Sequence, residues 1–132
     1  MLNESSIRRL LVWTDGSRSG YGVLIKDEEG NTLRRLAGAK PADLPDHSHT
    51  EYLAVIMALR EAREIGATAV LLQSDSLFLV DQMNGRAKRR SPDMDRYHSE
   101  ALAAASGMKL EVVHIAGDEN PADGLSKMFA DK

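Results

Sequence analysis

The sequence predicts one α/β domain, residues 1–132, in which helices cover a mixed sheet. Strand-length apolar runs and stretches of helical periodicity follow one another in the order three strands, helix, strand, two helices, strand, helix. Glycine and proline fall at the joints between them, and the length suits a single hydrophobic core.

Ile7 to Thr14 reads as a strand buried on both faces, because its apolar run is nearly continuous. Tyr21 to Lys26 and Thr32 to Ala37 read as a hairpin around Glu28-Glu29-Gly30-Asn31, where Gly30 is free to take positive φ. Lys40 to Ser48 is a loop with Pro41 and Pro45. A helix follows from about His49 to Ile65, with Leu53, Ile56, Met57 and Arg60 towards one face and Gly66 as its stop. Thr68 to Gln73 is a second buried strand, and Ser76 to Asn84 a short helix ended by Gly85. Ser91-Pro92 caps a helix that runs to about Ser106 and stops at Gly107. Lys109 to Ile115 is the last strand, and Asn120-Pro121 starts a final helix. This order puts hairpin strands at one edge of the sheet and parallel strands at the other.

Composition narrows the function. A net charge of −3 argues against a generally basic polyanion binder. The absence of Cys excludes disulfides and thiolate metal sites. Met1 to Ser6 is polar, unlike a signal peptide, and no run approaches the roughly 18 apolar residues of a membrane span. A soluble cytoplasmic protein is expected. Positive charge is concentrated in Arg86-Ala87-Lys88-Arg89-Arg90, which is either a solvated helix end or a phosphate-contacting patch.

Four acids stand at the ends of elements. Asp15 closes the first strand before Gly16-Ser17, Glu51 opens the first helix, Asp75 follows the second buried strand, and Asp123 lies just past Asn120-Pro121. Singly, each has a local explanation. Ser48-His49-Thr50-Glu51 fits a capping box, Ser74 suits an N-cap with Asp75 in the first turn, Asn120 suits the cap of the last helix, and Asp15-Gly16-Ser17 suits a turn. Jointly they point elsewhere. In open α/β sheets, sites form at the carboxyl ends of the parallel strands, and this fold brings all four acids to that edge. Converging carboxylates make a hard, oxygen-lined site for divalent cations such as Mg²⁺ or Mn²⁺. Of the histidines, His98 reads as a surface residue and His114 as a satisfied sheet histidine; His47 and His49 lie near Glu51, as loop residues or close to a metal.

Four stretches in order then carry a resemblance. They are Trp13-Thr14-Asp15-Gly16-Ser17 with Gly20-Tyr21-Gly22 behind it, Thr50-Glu51-Tyr52-Leu53-Ala54, Ser74-Asp75-Ser76 running into Gln82-Met83-Asn84-Gly85, and His114-Ile115-Ala116-Gly117 leading to Asn120-Pro121-Ala122-Asp123. Together they resemble type 1 ribonuclease H, in the broad family that includes the ribonuclease H domains of reverse transcriptases. The resemblance covers nearly the whole chain. It implies a ribonuclease H-like five-stranded mixed sheet with helices on both faces, and a site made of Asp15, Glu51, Asp75 and Asp123. It implies hydrolysis of the RNA strand of RNA/DNA hybrids by two Mg²⁺ or Mn²⁺ ions about 4 Å apart, leaving 5′-phosphate and 3′-hydroxyl ends. Asp15 would bridge both ions, Asp123 would help hold the ion on the water side, and Glu51 and Asp75 the ion on the leaving-group side. Nucleic-acid contacts are implied at Gly16, Ser17, Ser48 and Asn120, and at Arg86, Lys88, Arg89 and Arg90 of the basic cluster. The partner would be an RNA/DNA hybrid and the protein a monomer.

Three departures from the family are visible. Asp118 stands where many members carry a mobile His, His47 and Ser48 stand where many carry Asn, and the long basic insertion of some members is reduced to Arg86 to Arg90. A non-catalytic nucleic-acid-binding module and a related nuclease acting on double-stranded RNA or DNA are the alternative readings.

Overall fold

The computed structural model describes residues 8–43, 47–86 and 92–128. Its elements are β1 (Arg9–Gly16), β2 (Gly20–Lys26), β3 (Thr32–Ala39), α1 (His47–Ile65), β4 (Ala69–Ser74), α2 (Leu77–Met83), α3 (Pro92–Ala104), β5 (Lys109–His114) and α4 (Asp123–Ser126). They form a five-stranded sheet in the order β3-β2-β1-β4-β5. β1, β2 and β3 run antiparallel, whereas β1, β4 and β5 run parallel, as the connections required.

The two sheet faces are covered differently. Leu10, Val12, Val23, Ile25, Val70 and Leu72 point to one face and form the core with Tyr52, Val55, Leu59 and Ala62 of α1. α3 lies over α1 on this side, with Met94, His98 and Ala101 buried at helical spacing. α4 packs on the opposite face, because Gly22, paired with Asp15 across β1 and β2, abuts Ala122, Leu125 and Ser126.

The expected face of α1 is met only in part. Ile56 is buried, but Leu53 and Met57 are half-buried and Arg60 is exposed, while Ala54, Ala58 and Ala62 are fully buried. His98, expected at the surface, is buried; it stands edge-on to Tyr52 with Nε2 3.2 Å from the Gln82 carbonyl. His114, expected to be a satisfied sheet histidine, ends β5 with Nε2 3.3 Å from the Asp75 carbonyl, and it is exposed.

The hairpin turn carries Gly30 at φ +89°, as its sequence required. Asp27 organises it, its Oδ1 accepting the backbone N–H groups of Glu29 and Asn31. No helix among the described residues is long and apolar enough to cross a membrane.

Candidate active site

β1 and β4 are in parallel register with Thr14 opposite Ser74, so Asp15 and Asp75 leave adjacent strands side by side at the carboxyl edge. Glu51 reaches the same edge from α1. Carboxylate oxygens of Asp15, Glu51 and Asp75 lie within 4.8 Å of one another.

Glu51 is not the reciprocal partner of a capping box. α1 begins at His47, so Glu51 lies a full turn inside the helix rather than opening it. Its Oε1 instead accepts the backbone N–H of Gly16 at 2.8 Å in a buried bond. That contact depends on glycine. A Cβ at Gly16 would lie 2.4 Å from the Glu51 nitrogen and 2.6 Å from the Thr50 carbonyl carbon, so the end of β1 rests directly on the backbone of α1.

Asp75 also lies outside its expected cap. The N-cap of α2 is Ser76, whose hydroxyl accepts from the Leu79 N–H, and Ser74 Oγ accepts from the Ser76 N–H. Asp75 therefore precedes the helix, half-buried, with His114 Nε2 3.3 Å from its backbone carbonyl.

Asp123 is the fourth acid, but it does not join the tight cluster among the described residues. It lies near enough to Asp15 to raise that residue's pKa, and both its carboxylate oxygens are 3.2 Å from Lys127 Nζ. Asn120 is not the cap of α4, which is Ala122. It is buried, its amide donating to the Thr14 carbonyl at 3.0 Å and its Oδ1 accepting the Ala122 N–H, and so ties the approach to α4 onto β1.

Several expected nucleic-acid contacts turn inward. Gly16 is buried with its N–H taken by Glu51, Ser17 donates from Oγ to the Ser126 carbonyl at 2.8 Å, and the Asn120 side chain is spent on Thr14 and Ala122. Arg86 is exposed and paired with Asp81 at 3.0 Å. Ser48 lies within α1, its side chain outside the described residues, as are Lys88, Arg89 and Arg90. His49 is buried, edge-on to Tyr97 of α3, rather than facing solvent. Asp118 is exposed in a short 3-10 turn, Gly117–Glu119, and Gly117 lies against the Asp75 carboxylate.

Sequence reasoning missed Ser126 and Lys127. Their signal was their spacing from Asp123: positions three and four residues along a helix share one face. Ser126 Oγ donates to Asp15 Oδ2 at 2.7 Å.

The electrostatics follow from burial and crowding. Burial pushes the Asp15 carboxyl up to about 7, against the Ser126 hydrogen bond that lowers it and with repulsion from Asp75 and Asp123 adding to it. Burial also pushes Glu51 up to about 8, helped by repulsion from Asp15 and Asp75 and opposed by the Gly16 N–H. Both groups keep their protons in the folded chain to a pH at which the unfolded chain, near the ordinary 3.8 and 4.5, has lost them. Metal-free stability is therefore full below those ordinary values and falls as pH rises through the folded ones. The melting temperature in EDTA is expected to drop steadily from pH 5 to pH 8.5, and to drop less in Glu51→Gln. A melting temperature that rises over this interval contradicts the crowding of these acids.

A family model described as reverse transcriptase-like matches residues 12–129. The uncharacterized protein YpeP of Bacillus subtilis is 30% identical over 129 residues, which cover 89% of this chain and 57% of that protein. The bifunctional protein Rv2228c of Mycobacterium tuberculosis is 34% identical over 89 residues, or 67% of this chain and 24% of that protein. The chain thus spans between a quarter and a little over half of these curated relatives. Its fold superposes on the N-terminal RNase H domain of Rv2228c with a TM-score of 0.82 and 26% identity, covering 89% of this chain and 95% of that one. It superposes on LC11-RNase H1, solved in complex with an RNA/DNA hybrid, with a TM-score of 0.79 and 28% identity, covering 88% and 92%.

Proposed function

Because the chain belongs to the reverse transcriptase-like family, the broad family of ribonuclease H domains, we propose that it is a divalent-metal-dependent ribonuclease H. It hydrolyses the RNA strand of RNA/DNA hybrids, as a cytoplasmic monomer, and leaves 5′-phosphate and 3′-hydroxyl ends. The observation that carries this reading is the convergence of Asp15, Glu51 and Asp75 within 4.8 Å from three separate elements. A module that only binds nucleic acid gains nothing from mutually repelling, partly buried acids facing a polyanion.

The donor set fits Mg²⁺ or Mn²⁺. It is all oxygen, crowded, and carried by rigid elements, with Asp15 and Asp75 at strand ends and Glu51 one turn inside α1, and charge repulsion within it is relieved by a hard dication. Two such ions, when bound, supply an activated water and charge stabilisation for the departing 3′ oxygen. Asp15, Glu51, Asp75 and Asp123 would hold them, with Asp15 shared by both, Asp123 on the water side, and Glu51 and Asp75 on the leaving-group side. The remaining chain groups position these ligands: the Gly16 N–H holds Glu51, and Asn120 holds the loop that delivers Asp123. Incubating an end-labelled hybrid with Mg²⁺ or Mn²⁺ tests the reaction. Fragments that phosphatase shifts and polymerase extends directly carry the expected ends, and fragments ending in 3′-phosphate refute the mechanism.

An acidic chain needs local positive charge to hold a polyanion, and Arg86, Lys88, Arg89 and Arg90 stand in the most basic stretch of the sequence. Changing all four to Ala is expected to raise KM for hybrid and leave kcat within about twofold. Each lost phosphate contact lowers the log–log salt slope by about 0.9. Measuring KM at several salt concentrations decides it: parallel salt lines for wild type and variant make the cluster a solvated surface.

A further inference from the structure

We propose that Ser126 is a positioning residue that fixes the Asp15 carboxylate for metal binding, an inference that rests on the metal-dependent reading above. Ser126 is fully buried, and its Oγ lies 2.7 Å from Asp15 Oδ2 and 2.9 Å from the Asp123 carbonyl. A hydroxyl has one proton to donate, and an ionised carboxylate is the stronger acceptor. The bond therefore joins Asp15 to the helix that carries Asp123. It occupies Oδ2.

The placement of Ser126 is itself built. α4 has only four residues and little hydrogen bonding of its own to hold it. Its seat is β2, where a Cβ at Gly22 would lie 2.6 Å from the Ala122 carbonyl oxygen and 2.7 Å from the Ser126 nitrogen. Its latch is Ser17, whose hydroxyl donates to the Ser126 carbonyl at 2.8 Å. Gly22 pairs with Asp15 across the strands, so the same close approach that seats α4 brings the hydroxyl onto the carboxylate. Without that bond, repulsion from Asp75 and Asp123 favours rotating Asp15 away from its neighbours. A residue serving only to fill this space would be as well served by alanine.

The test is calorimetric titration of Mn²⁺ into wild type, Ser126→Ala and Ser126→Thr without nucleic acid, together with metal-free melting curves. Removing the bond that orients a metal ligand typically costs about 10- to 100-fold in metal affinity. Ser126→Ala is expected to bind Mn²⁺ about tenfold or more weakly with a metal-free melting temperature within a few degrees of wild type, and Ser126→Thr to recover most of the affinity. On hybrid, kcat of the Ala variant is expected to fall with KM nearly unchanged. Wild-type affinity in Ser126→Ala overturns the proposal, as does equal weakening in Ala and Thr, which assigns the effect to packing of α4. If the Ala variant does not fold, Ser126→Cys, close in shape but a weak donor, takes its place with the same expected loss and the same overturning result. Wild type that binds Mn²⁺ but cleaves no hybrid defeats the nuclease reading alone and leaves the calorimetric comparison to judge Ser126; wild type that binds no Mn²⁺ defeats both.

Discussion

Asp15→Asn is expected to reduce hydrolysis of RNA/DNA hybrid by at least about 10²- to 10³-fold, the scale on which losing one charge-stabilising group acts in an active site, while raising the melting temperature in metal-free buffer. Both effects come from one charge. In the folded chain Asp15 is buried, and its neighbours Asp75 and Asp123 oppose its ionisation. An amide removes that repulsion and accepts the same Ser126 hydroxyl, so the fold gains. It also removes the carboxylate that two cations would share, so the reaction is lost. Steady-state rates on hybrid and melting curves in EDTA, measured on the same preparation, check the pair of signs. Full residual activity moves the site away from β1; lost activity with a large drop in stability makes Asp15 a structural residue.

Gly16→Ala is expected to destabilise the protein by about 3 kcal/mol, the upper range for forcing atoms into a packed interior, and to lower the melting temperature by about 10 °C. The added methyl would meet the backbone of Thr50 and Glu51 at 2.4 to 2.7 Å, and a helix backbone cannot turn aside as a flexible side chain can. α1 must move off β1, which lengthens the 2.8 Å bond from Gly16 to Glu51 and withdraws a carboxylate from the cluster. Stability and metal affinity should therefore fall together. Gly124→Ala is the control, because a Cβ there meets nothing within 4 Å; it is expected within about 1 kcal/mol of wild type. Gly16→Ala with wild-type stability would show that β1 and α1 are not in this close contact.

The first strand was legible because its apolar run is nearly continuous, and the others because their ends are punctuated. Gly30, Gly66, Gly85 and Gly107 all adopt positive φ where turns or helix ends were read. Four acids at element ends pointed to one edge of the sheet, and the parallel register of β1 with β4 brings Asp15 and Asp75 there. The details missed were tertiary. The face of α1 was misjudged in part, because of the residues read onto it only Ile56 is buried, while the core takes Tyr52, Val55, Leu59 and Ala62. Local capping rules misassigned Glu51 and Asn120, because each side chain bonds to β1, 35 and 106 residues distant in sequence. Ser126 and Lys127 went unnoticed because neither belongs to an acidic motif; only the seating of α4 on Gly22 gives the serine a partner.

The most direct test of the metal-dependent hybrid nuclease is a cleavage assay with three substrates of one sequence: RNA/DNA hybrid, double-stranded RNA and double-stranded DNA. Each is incubated with wild-type protein in Mg²⁺, in Mn²⁺ and in EDTA, with Asp15→Asn as the blank. Cleavage of the RNA strand of the hybrid is expected with either metal, none in EDTA, and none of the duplex DNA. Cleavage of double-stranded RNA in preference to hybrid would contradict the substrate, and cleavage that persists in EDTA or in Asp15→Asn would contradict the carboxylate site itself.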